Sequence, residues 1–260
     1  MTGHPAYDEL RRVTPVASVV LENNPSSMTL EGTNTWLLRT PAAESCVVVD
    51  PGYEDEPHLE KVAEVGQIEL ILLTHHHPDH AEGAPWLAAR TGAPVRALDP
   101  TLCQNARPLT DGETFEAAGL SFQVLHTPGH TEDSVCVRAG YNGKSAMLTG
   151  DSVLGRGTTV IADLGPYLTT LRRLIEEPRG TVALTGHGPE LPDVASIARE
   201  YLAHRVERLN QVSAALAHLG GDATPRQIVE LVYADVDRSL WTPAEWSVKA
   251  QLDYLRGNGN

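Results

Sequence analysis

Short apolar runs alternate with amphipathic segments and turn residues over roughly the first three quarters of the chain. The runs have the length and the β-branched content that are typical of strands. They are residues 46–50, 68–74, 93–98, 120–127, 134–140, 145–151 and 181–188. Segments with helical spacing lie between them, at residues 56–66, 84–92 and 165–177. Strands interleaved with helices predict an α/β fold.

The pattern becomes wholly helical after about residue 190. Residues 192–220 form one long helical pattern that ends at two glycines. Two later segments begin with the same capping signal, Thr-Pro-x-Gln/Glu, at Thr224 and at Thr242. We therefore expect two domains, an α/β one over residues 1–190 and a small helical one over residues 191–260.

Composition and charge narrow the function classes. Hydrophobic residues make up 41% of the 260 positions, as in ordinary globular proteins, and no apolar run is long enough for a membrane helix. The net charge of −14 argues against a broad phosphate-binding face. The start of the chain lacks a secretory signal, and the three cysteines form no close-spaced pair. These features predict a cytoplasmic protein whose Cys46 and Cys136 are buried in strands.

The stretch "THHHPDH", at residues 74–80, concentrates metal-ligand residue types behind a predicted strand. In extended backbone, His75 and His77 project to one side and His76 to the other. Pro78 can start a helical turn, which brings Asp79 and His80 to a second position. The window therefore offers two pairs of ligands to two neighbouring points, a layout that favours two metal ions.

Three further ligand types leave later strands, each beside a glycine. They are His130 in "HTPGHT", Asp151 in "TGDSVLG" and His187 in "TGHGP". Taken singly, a histidine at a strand end is more often a hydrogen-bonded or exposed residue, and an aspartate after glycine is commonly a helix cap. Their joint occurrence favours a site, because loops at strand ends carry the sites of α/β sheets.

These motifs, in this order, resemble those of the metallo-β-lactamase superfamily. The resemblance implies an αββα sandwich with a dinuclear site at one edge, between the two sheets. It also implies a ligand for every position of that site. The first metal would be bound by His75, His77 and His130, and the second by Asp79, His80 and His187, with Asp151 bridging them.

Two subgroups of that superfamily are similar over longer stretches. "NPSSMTLEGTNTWLL", "GDSVLGRGTTV" and "YLAHRVERLNQV" look like the subgroup of β-lactamase-like protein 2, a single-strand endoribonuclease with a winged-helix-like C-terminal unit. The fungal polyketide thioesterases are similar at "GTNTW" and "GDSVLGRGTTV". The first resemblance spans nearly the whole chain.

The residue types also indicate the chemistry. Imidazole and carboxylate ligands without cysteine suit two Zn²⁺ ions, with Mn²⁺ or Fe²⁺ as alternatives. Two ions ~3.5–4 Å apart lower the pKa of a shared water to roughly 7, and the resulting hydroxide is the attacking group. We expect Asp79 to orient that group and accept its proton.

The bond that is cleaved stays open at this stage. The first hypothesis is a phosphodiester in single-stranded RNA, and the alternative is a small-molecule thioester, ester or lactone. A metal-binding module without catalysis comes third, and antibiotic hydrolysis is not expected, nor is a membrane or protein partner. Asn34 and Thr158 are candidate substrate contacts. Arg205 and Arg208 could bind a phosphate, although such a pair is more often a solvated face.

Overall fold

The computed structural model of the protein describes residues 6–257. Within that range two β-sheets are present, and helices flank both of them. Residues 1–5, which belong to the segment considered for an export signal, lie outside the described residues.

The first sheet has six strands whose spatial order follows the chain. They are β1 (Leu10–Arg12), β2 (Ala17–Leu21), β3 (Asn34–Leu38), β4 (Ser45–Val49), β5 (Gln67–Leu72) and β6 (Val95–Arg96). The first four pair antiparallel, whereas β4, β5 and β6 are parallel because helical connections return the chain to the same edge. The apolar runs predicted β4 to β6 but not β1 to β3.

The second sheet has five strands in the order β11-β10-β9-β8-β7. They are β7 (Thr114–Ala117), β8 (Leu120–His126), β9 (Val135–Tyr141), β10 (Lys144–Gly150) and β11 (Val182–Thr185). Neighbours from β7 to β10 are antiparallel, and β11 lies parallel to β10 after a helical crossover. All four runs that predict strands in this half of the chain are strands of this sheet.

Helices cover the outer faces of the two sheets and continue beyond them. They are α1 (Glu56–Ala63), α2 (Pro78–Ala81), α3 (Ala84–Thr91), α4 (Leu164–Ile175), α5 (Val194–Leu219), α6 (Pro225–Val232) and α7 (Trp241–Gly257), with 3₁₀ turns at Pro100–Leu102 and Arg238–Leu240.

Three apolar clusters define four layers. The central cluster lies between the sheets and includes Trp36 and Phe122. A second joins the first sheet to α1 and α3, and a third joins the other sheet to α4 and α5. This is the αββα sandwich that the sequence resemblance implies, and the fold class is confirmed.

A fourth apolar cluster joins the end of α5 to α6 and α7. The capping box predicted at Thr224 is present. The one predicted at Thr242 is wrong, because α7 already begins at Trp241. The Trp241 indole is buried in the fourth cluster and donates to the Val236 carbonyl 3.0 Å away, so packing extends the helix past the local capping signal.

Two further sequence expectations can be compared with the structure. Cys46 and Cys136 are buried in strands, as predicted. In the part of the chain that the structure describes, no helix has both the length and the hydropathy needed to cross a bilayer. The domain boundary at residues 190/191 and the cytoplasmic location stay predictions.

Candidate metal centre

The seven side chains that the sequence singles out gather at one edge of the sandwich, where strands of both sheets end. His75 and His77 follow β5, and α2 carries Asp79 and His80. The other three follow strands of the second sheet, namely His130 after β8, Asp151 after β10 and His187 after β11. Three overlapping groups of possible ligand atoms result. A first cluster (His75, His77, His130) and a second cluster (Asp79, His80, His187) share no residue, and a third group of His75, His80 and Asp151 lies between them.

The first cluster consists of three imidazoles. The Nδ1 atom of His77 lies 3.0 Å from Nε2 of His75 and 3.0 Å from Nε2 of His130. Ligand atoms about 2.0–2.1 Å from one tetrahedral ion are roughly 3.3 Å apart, so these nitrogens have nearly the spacing of a shared cation. His76 points away, as predicted, and pairs with Asp133 at 2.6 Å.

Hydrogen bonds on the far side of the rings fix this first cluster. His130 donates from Nδ1 to the Val160 carbonyl at 2.8 Å, and the Thr159 hydroxyl lies 3.1 Å from the same nitrogen. The Thr74 hydroxyl lies 3.0 Å from Nδ1 of His75. Such outer contacts set the tautomer and the orientation of a metal-binding imidazole. They leave Nε2 of His130 free to face the cluster.

The second cluster combines two imidazoles with a carboxylate. Nε2 of His187 lies 3.2 Å from Nε2 of His80 and 3.3 Å from Oδ2 of Asp79. Pro78 begins the short helix α2, so the local backbone turns Asp79 and His80 toward the second point, as predicted. His187 donates from Nδ1 to the carbonyl of Gly32 at 3.1 Å.

Asp50 is a buried residue of the site that sequence reasoning missed. Its Oδ2 accepts a hydrogen bond from Nδ1 of His80 at 2.9 Å and one from the Thr74 hydroxyl at 2.7 Å. The other oxygen accepts from the Thr74 backbone N–H. A carboxylate behind a metal-binding histidine raises its basicity and fixes its ring. The signal was available, because Asp50 leaves strand β4 as the other site residues leave theirs.

Asp151 lies between the two clusters. Its Oδ2 is 3.6 Å from Nε2 of His130 and 3.4 Å from Nε2 of His187, while Oδ1 is 3.5 Å from Nε2 of His80. Oδ1 is buried without a hydrogen-bond partner among the described residues. A buried carboxylate oxygen is costly unless something compensates its charge, and a metal ion does so. The donor set therefore fits metal binding at this edge of the sandwich.

The histidine pKa values are shifted in opposite directions in the two clusters. Burial, reinforced by the neighbouring imidazoles, lowers the pKa of His75 well below its usual value and lowers that of His77 to about 4. The rings of His75 and His77 are therefore neutral near pH 7, which is the form that binds metals.

The second cluster holds protons more tightly. Burial opposes the charged form of His187, but the charge of Asp151 and hydrogen bonds to Asp151 and Asp79 outweigh it and raise its pKa to about 10. The pKa of His80 is raised as well, since Asp151 and Asp50 outweigh its burial. Burial also opposes ionisation of Asp79, yet the hydrogen bond from His187 and the charge of His80 lower its pKa.

The two expected substrate contacts, Asn34 and Thr158, differ in their exposure to solvent. Asn34 is only 5% exposed, and its amide donates to the carbonyls of Thr185 and Gly188 at 3.0 and 2.8 Å. The Asn34 amide nitrogen therefore anchors the backbone around His187, and a substrate contact of Asn34 stays a prediction. Thr158 is exposed on the loop after Asp151, and its substrate contact stays a prediction.

The two arginines considered for phosphate binding are also engaged elsewhere. Arg205 is 4% exposed and donates to the Thr159 carbonyl. Arg208 donates to Gln211 and to the Val232 carbonyl within the C-terminal helices. Neither alternative fits Arg205, because its enclosed guanidinium lies neither on a solvated face nor open to a substrate phosphate.

Comparisons with known proteins agree with this geometry. The sequence profile described as "Metallo-beta-lactamase superfamily" matches residues 28–187. The chain belongs to this superfamily. A second profile, "Beta-lactamase associated winged helix domain", matches residues 224–259, so the helical unit after α5 is a winged-helix domain of the kind that accompanies metallo-β-lactamase domains.

Relatives in the superfamily have more than one kind of name. The Beta-lactamase-like protein 2 homolog of Drosophila melanogaster is 30% identical, with 95% of this chain and 90% of that protein covered. The atrochrysone carboxyl ACP thioesterase of Paecilomyces divaricatus is 31% identical, with 84% of this chain and 70% of that protein covered. Among solved structures, a metallo-β-lactamase family protein from Thermus thermophilus superposes with a TM-score of 0.76 at 25% identity, covering 95% of each chain.

Proposed function

We propose that this superfamily hydrolase works with two divalent ions and cleaves a thioester. The first ion would be held by His75, His77 and His130, and the second by Asp79, His80 and His187. The observation that supports this most directly is the position of Asp151. Its carboxylate lies 3.6 Å from Nε2 of His130 and 3.4 Å from Nε2 of His187, so one group can serve both ions.

The donor chemistry favours zinc. The clusters contain imidazole and carboxylate groups without cysteine, a set that Zn²⁺ accepts readily and that Mn²⁺ or Fe²⁺ also accepts. When bound, two such ions supply a water of lowered pKa and polarise the bond under attack.

Asp79 is suited to orient the attacking water and to accept its proton. The hydrogen bond from His187 keeps the pKa of Asp79 low against the effect of burial, so the carboxylate is ionised at neutral pH. Its side chain is 16% exposed, so water can reach it, whereas His80 beside it is fully enclosed. An ionised carboxylate that contacts solvent inside a buried cluster is placed as a general base.

The surroundings of the clusters favour a small acyl substrate over a polyanion. Arg156, on the loop after Asp151, forms an ion pair with Glu31. Arg205 is enclosed and so offers no charge to a phosphate chain. Binding of a nucleic acid depends on cations that neutralise its phosphates, and the net charge of this chain is −14.

Apolar side chains lie beside the site instead. Tyr53 is 38% exposed and directly follows Gly52, whose backbone N–H donates to the His80 carbonyl at 3.3 Å. Leu30 packs against Gly188, in the loop that carries His187. These contacts suit an acyl group, and a thioesterase is among the relatives.

Hydrolysis of single-stranded RNA is the second candidate. It is favoured by the match to the Beta-lactamase-like protein 2 homolog over 95% of this chain and by the winged-helix profile. The endoribonuclease activity itself comes to this chain through the sequence resemblance alone.

One assay separates the two candidates. Zinc-loaded protein is offered an acyl-thioester panel, with thiol release as the readout, and a labelled single-stranded RNA. Thioester turnover that is insensitive to salt and disappears after chelation is the expected result, and Asp79→Asn should reduce kcat by at least about 100-fold. RNA cleavage that weakens steeply with salt would favour the second candidate. Metal-loaded protein inactive on both substrates would contradict the proposal.

A further inference from the structure

Helix α5 contacts the metal centre through the loop of residues 152–160, which follows Asp151. The Tyr201 hydroxyl is the first contact. It accepts a hydrogen bond from the backbone N–H of Leu154 at 3.1 Å and donates to the Gly157 carbonyl at 2.9 Å. Tyr201 is 6% exposed, so this contact is enclosed by the fold.

Arg205, one helical turn further along α5, is the second contact. Its guanidinium donates to the Thr159 carbonyl and lies 5.3 Å from the centre of the Tyr167 ring. Nε of Arg205 has no hydrogen-bond partner among the described residues. A cation is costly to bury unless it is well paired, so stability of the core alone does not account for an arginine here.

The same loop contacts one proposed ligand of each cluster. The Thr159 hydroxyl lies 3.1 Å from Nδ1 of His130, and the Val160 carbonyl accepts from that nitrogen at 2.8 Å. At the other end of the loop, the N–H of Gly155 donates to the backbone carbonyl of His187 at 2.9 Å. The position of the loop therefore sets the ring of His130 and the backbone of His187.

We infer that Arg205 and Tyr201 are positioning residues of the metal centre, so that α5 acts on the site through the 152–160 loop. This inference rests on the proposed function, since it requires that His130 and His187 bind metal. Arg205 holds the Thr159 carbonyl, and that contact aims the hydroxyl and the adjacent Val160 carbonyl at Nδ1 of His130. Without it, the ring loses the outer contacts that orient Nε2 toward the ion.

Cobalt binding to the metal-free protein tests this without relying on activity. Co²⁺ takes the same nitrogen and oxygen ligands, and its visible spectrum reports their geometry. Arg205→Met should weaken Co²⁺ binding about tenfold and alter the spectrum, because changes to the outer contacts of ligands typically cost 10–100-fold in affinity. Arg205→Lys keeps a donor for the Thr159 carbonyl and should stay within about threefold of the parent.

Arg208→Met is the matched control. Arg208 lies on the same helix but donates to Gln211 and to the Val232 carbonyl, away from the loop, so its loss should leave the cobalt spectrum unchanged. Where Arg205→Met does not fold, Tyr201→Phe is the second variant, since it removes only one hydroxyl and should also alter the spectrum.

Two results would overturn the inference while leaving the proposed function standing. One is a parent-like affinity and spectrum in Arg205→Met or, where that variant does not fold, in Tyr201→Phe. The other is an equal effect of Arg208→Met, which would indicate a general loss of packing. A parent protein that binds no Co²⁺ would overturn the proposed function and this inference with it. The measurement on the parent alone distinguishes this outcome from a failure of the inference, which appears only when the variants are compared with the parent.

Discussion

The imidazoles of His75 and His77 are neutral in the metal-free protein, whereas that of His187 is protonated. This difference predicts that metal uptake is stepwise and depends on pH. In the metal-free protein near pH 7, burial and neighbouring imidazoles keep His75 and His77 neutral, the latter with a pKa of about 4. The first ion can bind there without displacing a proton from either ring. The second cluster instead holds His187 as a cation, because the charge of Asp151 and its hydrogen bonds raise the pKa to about 10 against the effect of burial.

The size of the effect follows from that pKa. At pH 7 the solution is about three pH units below the pKa of His187. Removing the His187 proton at that pH therefore costs about 4 kcal/mol, at 1.36 kcal/mol per unit. This is an upper limit, because an ion in the first cluster screens Asp151. Through the His187 proton alone, the apparent affinity for the second ion should therefore rise by up to tenfold per pH unit between about pH 6.5 and about pH 8.5, while that of the first ion changes little.

Calorimetric titration of the metal-free protein with Zn²⁺ measures both quantities. Experiments in two buffers with different protonation enthalpies give the number of protons released in each step. We expect release to be concentrated in the second step and to decline as the pH rises toward 10. Equal release in both steps, or a second affinity that does not change with pH, would refute the assignment of charge to the His187 cluster.

Three substitutions extend the account to other residues. Asp50→Asn removes a carboxylate oxygen behind His80 and should weaken binding of the second zinc by about 10–100-fold at unchanged fold; an unchanged affinity would contradict its role. Gly186→Ala would place a Cβ 2.6 Å from Oδ1 of Asp151 and should lower zinc affinity at least about tenfold, as judged by the same titration. Burial raises the pKa of Glu22 to about 8 from 4.5, so the folded state retains a proton that the unfolded state loses, and stability falls as the pH rises through that window. Melting temperatures of metal-free Glu22→Gln should fall less between about pH 6 and about pH 8.5 than those of the parent, whereas parallel profiles would count against a buried neutral carboxyl.

Much of the site was readable from the sequence because its residues follow apolar strands. The period-two geometry of "THHHPDH" correctly separates His76 from its neighbours, and Pro78 does start a helical turn. The strand-end positions of His130 and His187 likewise follow from local pattern. The central position of Asp151 came only from the family resemblance, because spacing along the chain does not show which strand ends meet.

Contacts made across the fold were not readable. Asp50 leaves strand β4 as the other site residues leave theirs, but the sequence does not show that it contacts His80, thirty positions later. Asn34 and Arg205 are polar residue types that usually lie at the surface. In the structure both are buried, and each donates a hydrogen bond to a backbone carbonyl that is distant in the sequence. Strand β3 was not predicted because all five of its residues are buried. A strand buried on both faces does not show the alternation of apolar and polar residues that marks a half-exposed strand.

The most direct test of the central claim is the zinc content of the reconstituted, desalted protein, measured together with that of Asp151→Ala. The account predicts two ions per chain in the parent and fewer in the variant, because Asp151 lies beside both clusters. A parent that retains no zinc, or an Asp151→Ala variant that retains both ions at parent affinity, would contradict it.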